Sequence, residues 1–111
     1  AATLAHHAAL AARTTAGLGE QMARGDVRAA LANAPRYLTL VGHLCIAWNW
    51  LRQALAAQRI TPRNAEEANF IAGKLAACRW FFVHELPTVE HDARLLAAQD
   101  RCALDTPPEV F

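Results

Sequence analysis

The sequence predicts an all-α protein: an up-and-down helical bundle of three long helices plus one or two short ones. Three observations carry this. Alanine, the best helix former, fills 26 of the 111 positions. Apolar residues recur at alternating steps of four and three over three long stretches, which places them on one face of a helix. No segment shows the period-two alternation of a half-buried strand. At 111 residues the chain fits a single domain, 1–111, able to enclose one core without disulfides or metals.

The first helix is expected from Thr3 to Arg24, with Leu4, Ala8, Ala11, Thr15, Leu18 and Met22 on its inner face. Gly25 then reads as the C-cap of that helix and Asp26 as the N-cap of a short one, whose Val27, Ala30 and Leu31 face inward. That short helix ends near Ala34, because Pro35 disfavours the helical backbone at the residue before it.

Pro35 suits a first helical turn, and Pro35 to Gln58 carries the strongest pattern: Tyr37, Val41, Leu44, Trp48, Leu51 and Leu55. Leu38, Leu40, Cys45, Ile46 and Trp50 widen the stripe beyond one seam, so this helix is central or is covered from outside the chain. Thr61 and Pro62 read as the next start, with Glu66 and Glu67 at the positive end of the helix dipole. Ile71, Leu75, Cys78 and Phe82 form one face there, with Phe70, Trp80 and Phe81 beside it. Pro87 must kink or restart this helix, since its ring removes a donor and collides with the preceding turn. Val89, Leu95 and Leu96 belong to the continuation, and Thr-Pro-Pro after Asp105 ends regular structure.

Charge and length exclude several functions. A formal net charge of +1 supplies no long-range field for DNA, RNA or acidic lipid, so no nucleic-acid partner is expected. The most apolar run, Tyr37 to Leu51, is shorter than the ~20 residues of a bilayer span and contains His43 and Asn49. Cys45, Cys78 and Cys102 lack metal or redox spacing; two fall among apolar helical residues, where Cys commonly packs as a small hydrophobe. They read as reduced thiols in a cytoplasmic protein.

No complete catalytic, cofactor or metal site emerges. His84, Glu85, Glu90 and His91 invite a metal or hydrolase reading, but an HExxH helix needs histidines four apart, and these are seven apart across Pro87. They read instead as a polar face near a kink. His6 and His7 are adjacent, point in different directions, and are expected in solvent. His43 has no serine, cysteine or carboxylate partner assigned by local spacing and reads as a buried or interfacial contact. Gly42 and Gly73 inside helices cost about 1 kcal/mol each relative to alanine, which implies close approach by a neighbour. Trp48, Trp50 and Trp80 suit an interface or an acyl pocket, and a chain this small is not expected to bury all three.

Asn33-Ala34, Tyr37-Leu38, Gly42, Trp48 and Arg52-Gln53-Ala54-Leu55 occur in an order that continues after the loop. There Phe70, Gly73-Lys74-Leu75, Ala77, Arg79-Trp80-Phe81 and Leu86-Pro87 follow. From Asn33 to Phe111 the chain resembles the C-terminal helical domain of one branch of acyl-CoA dehydrogenases, which includes 3-methylmercaptopropionyl-CoA dehydrogenases. The resemblance implies a non-catalytic accessory domain packed on the dehydrogenase core of the same polypeptide, and a homo-oligomeric enzyme. FAD is implied for that parent enzyme, which would desaturate an acyl-CoA thioester, while this chain carries no cofactor residues. The positions expected at interfaces or helix packings are Tyr37, Gly42, His43, Trp48, Trp50, Gly73, Trp80 and Pro87. Trp50 and Trp80 stand where the family commonly has smaller or other aromatic residues. The alternative is a free-standing bundle that homodimerises or holds a small apolar ligand, and a weaker one is a metal-dependent enzyme using His84 and His91.

Overall fold

The computed structural model describes all residues from Ala1 to Phe111. It is all-α, in the order α1 (Ala2–Ala23), α2 (Val27–Leu31), α3 (Ala34–Ala57), α4 (Ala65–His84), α5 (Thr88–Ala98) and α6 (Cys102–Asp105), followed by a 3-10 turn over Pro108–Val110. The three long helices and the short second one stand where the periodicity places them.

Local chemistry sets the boundaries. Gly25 takes φ +89°, and the amides of Gly25 and Asp26 donate to the carbonyls of Met22 and Gln21, the paired closure of a Schellman motif. Asp26 stands at the start of α2 but forms no side-chain cap there. Helix α4 begins at Asn64 rather than at Thr61-Pro62. The Asn64 side chain accepts from the Glu67 amide at 2.9 Å, and the Glu67 carboxylate accepts from the Arg63 amide at 2.7 Å.

Pro87 separates α4 from α5 rather than bending one helix. The amides of Glu85 and Leu86 both donate to the Phe81 carbonyl, and the Thr88 hydroxyl donates to the Glu85 carbonyl. This turn drives Leu86 into the interior, where it is fully buried. Helices α4 and α5 then run end to end along α3. Lys74 meets Gln53 near the far end of α3, His43 meets Glu85 at its middle, and Arg36 meets Asp92 at its start.

The core lies at one end of this arrangement. Leu40, Ala47, Phe81, Leu86, Val89, Ala93 and Leu96 meet Ala11 of α1 there, with Tyr37, Leu44, Trp50 and Phe82 half-buried around them. Helix α1 packs on α5 and on the first half of α3, whereas α4 packs mainly on α3. The second half of α3 and the first half of α4 therefore project as a two-helix arm, and the molecule measures 62 × 31 × 16 Å. Its radius of gyration is 18.8 Å, against roughly 13 Å for a compact domain of this length.

Several inward assignments change. Helix α1 buries His7, Ala11, Thr14 and Gln21, while Met22 is exposed. Its inner stripe is thus rotated from the one that its leucines mark, because α5 lies against the other edge of that stripe. Of the short helix, Ala30 is buried but Val27 and Leu31 are exposed.

Candidate functional site

The structure exposes a large surface for a chain of its size. Only 16 of 111 residues are buried, and the accessible surface is 7565 Å². A compact protein of this mass exposes roughly 6,000 Å², so the excess is roughly 1,500 Å². Its exposed large side chains include Leu38, Ile46, Trp48, Leu55, Phe70, Trp80 and Val83, all on α3 and α4.

The aromatic residues singled out by sequence divide between the core margin and this surface. The Tyr37 ring packs at the edge of the core, and its hydroxyl lies 2.9 Å from that of Thr15 on α1. Trp48 is 53% exposed; the Arg52 guanidinium lies 5.0 Å from its ring centroid. Together with Leu4, Ala8, Leu44 and Cys45, Trp48 lines a shallow apolar depression between α1 and α3 of about 220 Å³. Trp50 is half-buried, and the Lys74 ammonium lies 5.5 Å from its ring and 5.4 Å from that of Phe70. Trp80 is 55% exposed and packs on the His84 ring at 5.2 Å.

Gly42 and Gly73 correct an expectation. A Cβ placed at either would meet nothing within 4 Å, so no helix of this chain crosses closely there. Both glycines carry the helical cost without an internal reason for it. Cys45 is also exposed rather than packed as a hydrophobe. Cys78 is half-buried, and burial raises its thiol pKa above the ordinary value.

Three histidines bridge helices. The Nδ1–H of His43 donates to the Thr39 carbonyl at 2.9 Å, its Nε2 lies 3.4 Å from the Glu85 carboxylate, and its ring is tilted against Phe81. This links α3 to the end of α4 through a carboxylate 42 residues away, a pairing that local spacing could not give. His7 is 4% exposed, not solvated as its neighbour's position suggested. Its Nδ1–H donates to the Thr3 carbonyl at 2.7 Å, and its Nε2 faces the Glu90 carboxylate at 3.4 Å. That contact has the distance of an ion pair without the direction of a hydrogen bond, so Nε2 has no hydrogen-bond partner. Exposed His6 approaches the same carboxylate at 3.6 Å. Sequence reading also missed Asp92, 2% exposed and held by Arg36 at 3.4 Å; a charge at an inward heptad position of α5 is its only signal.

His84 and His91 are not brought together with other ligands: His84 packs on Trp80, and His91 lies beside Arg94. No three side chains among His, Cys, Asp and Glu converge. Two further cavities open beside α1, and a third, of about 260 Å³, lies at the start of α4 among Arg63, Asn64, Glu66, Glu67 and Phe70. An apolar cup of about 260 Å³ is lined by Thr15, Leu18, Gly19, Met22, Ala30, Leu31, Ala34 and Tyr37. A groove of about 340 Å³ runs between α1 and α5, with Arg13, Glu90 and Arg94 among its lining residues. Both are open and near the small end of the ~300–1,000 Å³ range of clefts that enclose a drug-sized ligand. The only closely spaced glycines, Gly17 and Gly19, lie inside α1 and not at a helix N-terminus, where a dinucleotide's phosphates would bind. These residues do not fit a flavin dinucleotide. No helix is long and apolar enough to cross a membrane.

Comparison with known proteins found no match among curated proteins and none among solved structures. The family model described as "Acetyl-CoA dehydrogenase C-terminal like" matches residues 1–107, nearly the whole chain. The chain belongs to the acetyl-CoA dehydrogenase C-terminal-like family.

Proposed function

We propose that this chain is a non-catalytic accessory domain of an FAD-dependent acyl-CoA dehydrogenase in the cytoplasm, and that it packs on the dehydrogenase core of its own polypeptide. The observation that carries the reading is the surface excess of roughly 1,500 Å² in a chain of 7565 Å². Such an excess is close to two standard single-partner patches of ~800 Å² each. The branch resembling 3-methylmercaptopropionyl-CoA dehydrogenases is favoured by the ordered set from Asn33 to Pro87. Flavin would supply hydride acceptance in the parent's α,β-dehydrogenation of an acyl thioester. The residues here would bind and orient, not react.

The docking face lies on the α1 side of α3, where the depression lined by Leu4, Ala8, Leu44, Cys45 and Trp48 continues toward Leu55. Trp48 is its centre, a large ring with an Arg52 cation over it, the composition that dominates binding energy at interfaces. Mixing the chain with the separately expressed dehydrogenase core, followed by calorimetry, tests this. A tight equimolar complex is expected, weakened by Trp48→Ala; absence of binding would end the accessory-domain reading. The cup beside Tyr37 favours a second reading, a small apolar ligand held by a free-standing bundle. That reading gains if the core does not bind and a short-chain aliphatic probe raises the melting temperature.

A further inference from the structure

We infer that the outer face of α4 is a self-complementary surface on which a second copy of this chain docks, with the two α4 helices antiparallel about a two-fold axis. The face is formed by Glu66, Phe70, Gly73, Ala77, Trp80 and His84, spaced four, three, four, three and four along the helix. At 3.6 residues per turn these six span only ~80° of arc, so they make one continuous stripe. It is the heptad seam of a helix pair, but α4 already rests on α3 through a different stripe that includes Lys74, Phe81 and Glu85. The outer stripe has no partner in the chain: Phe70 is 65% exposed, Trp80 is 55% exposed, and a Cβ on Gly73 would touch nothing.

The occupant follows from the order of residue types. Read from either end, the stripe runs polar, aromatic, small, small, aromatic, polar, with an acid at one end and a histidine at the other. An axis at the level of Leu75 sets residues whose numbers sum to 150 opposite each other. Gly73 then meets Ala77 of the second copy, where two backbones can approach closely. Phe70 meets Trp80 and Glu66 meets His84, each pair made twice, as a two-fold interface requires. The Trp80 ring is already held on this face by its contact with His84, so little rotamer freedom is lost on docking. With a net charge of +1, like-charge repulsion between copies is negligible. A patch of ~800 Å² per copy would make a standard interface, and it would use about half of the surface excess. The other half stays free, because Trp48 lies on the α1 side of α3 while this stripe lies across the α3–α4 layer. The inference therefore does not rest on the dehydrogenase partner.

Sedimentation equilibrium of the 111-residue chain tests it, beside variants that leave its interior untouched. The expected result is a dimer of twice the 12.1 kDa chain mass. Gly73→Arg should return it to monomer with unchanged helical circular dichroism, since nothing in the chain lies against that position. Trp80→Ala should weaken association by ~30-fold or more, the loss typical of a central interface tryptophan. Glu66→Lys should weaken association and added His84→Glu should restore it, a rescue that only an antiparallel register allows. Trp48→Ala should leave the dimer intact. A chain that stays monomeric at high concentration, or a dimer that Gly73→Arg and Trp80→Ala do not disturb, overturns the inference. So does a monomer that binds the dehydrogenase core through this stripe.

Discussion

Replacing Gly42 by alanine separates two explanations of a glycine in the middle of a long helix. If a neighbouring element of this chain pressed against α3 there, an added methyl would clash and the variant would lose stability. The structure puts nothing within 4 Å of a Cβ at Gly42, and its backbone is helical. Only the propensity difference then remains, about 0.8–1.0 kcal/mol in favour of alanine. For a chain of this size that is a rise in Tm of roughly 4 °C. Gly25 supplies the opposite sign, because its φ of +89° is a left-handed conformation that costs an L-residue about 1–2 kcal/mol. Urea unfolding followed at 222 nm measures both, at one low protein concentration so that self-association does not enter. Destabilisation by Gly42→Ala in the isolated chain, or indifference to Gly25→Ala, would refute the reasoning.

Three other outcomes are expected. Leu40→Ala, at a fully buried position where α3 meets the core, should cost about 3–5 kcal/mol in urea unfolding, while Leu38→Ala, 74% exposed two residues earlier, should cost less than ~0.5 kcal/mol. Hydrogen bonds from the Arg63 side chain and backbone hold the Glu67 carboxyl below its ordinary pKa, so its contribution to stability is complete above the usual glutamate range and is lost as pH falls through the lowered value. An NMR titration should therefore find Glu67 ionised to lower pH than in Arg63→Ala. With Ellman's reagent at mildly alkaline pH, exposed Cys45 and Cys102 should react quickly and Cys78 slowly, since burial raises its pKa and limits access.

The extent of α3 was legible in sequence but its inner face was not: Trp48 and Leu55 of the expected seam are exposed, and the buried positions are Leu40, Ala47, Ala54 and Ala57. The inner face of α1 was no more legible. Its alanines pack on any side, so the inner face is set by how α5 docks on it. Thr14 bonds back to the Leu10 carbonyl at 3.0 Å and His7 to that of Thr3 at 2.7 Å, and both can then be buried. The start of α4 was misplaced by three residues because Thr61-Pro62 and Asn64 offer competing signals, and it is the Asn64 side chain that accepts from the backbone amide three residues on. The histidine contacts lay beyond reach for a different reason. His43 with Glu85 and His7 with Glu90 are long-range pairs set by how helices dock, and helical periodicity is silent about them. The glycines carried the most misleading signal: the inference of close approach is sound physics, but nothing in this chain supplies the approaching element.

That missing element and the flat shape have one cause. Pro87 breaks the helix after α4, and the resulting end-to-end pair α4 and α5 covers the whole length of α3, while α1 covers only its first half. Where all three layers meet, large side chains close the interior: Leu40, Leu86 and Val89 are fully buried. Beyond Trp48 only two layers exist, and the residues buried between them are alanines, Ala54 and Ala57. Two helices cannot enclose a leucine on both sides, so Leu55, Ile60 and Phe70 are left about half exposed or more. The arm thus has few buried apolar contacts, the condition for low local stability, and whatever covers it adds binding free energy to folding free energy. Under the proposed packing on a partner, the arm would gain its second core by assembly, through Leu55, Ile60 and Phe70, which two layers leave open.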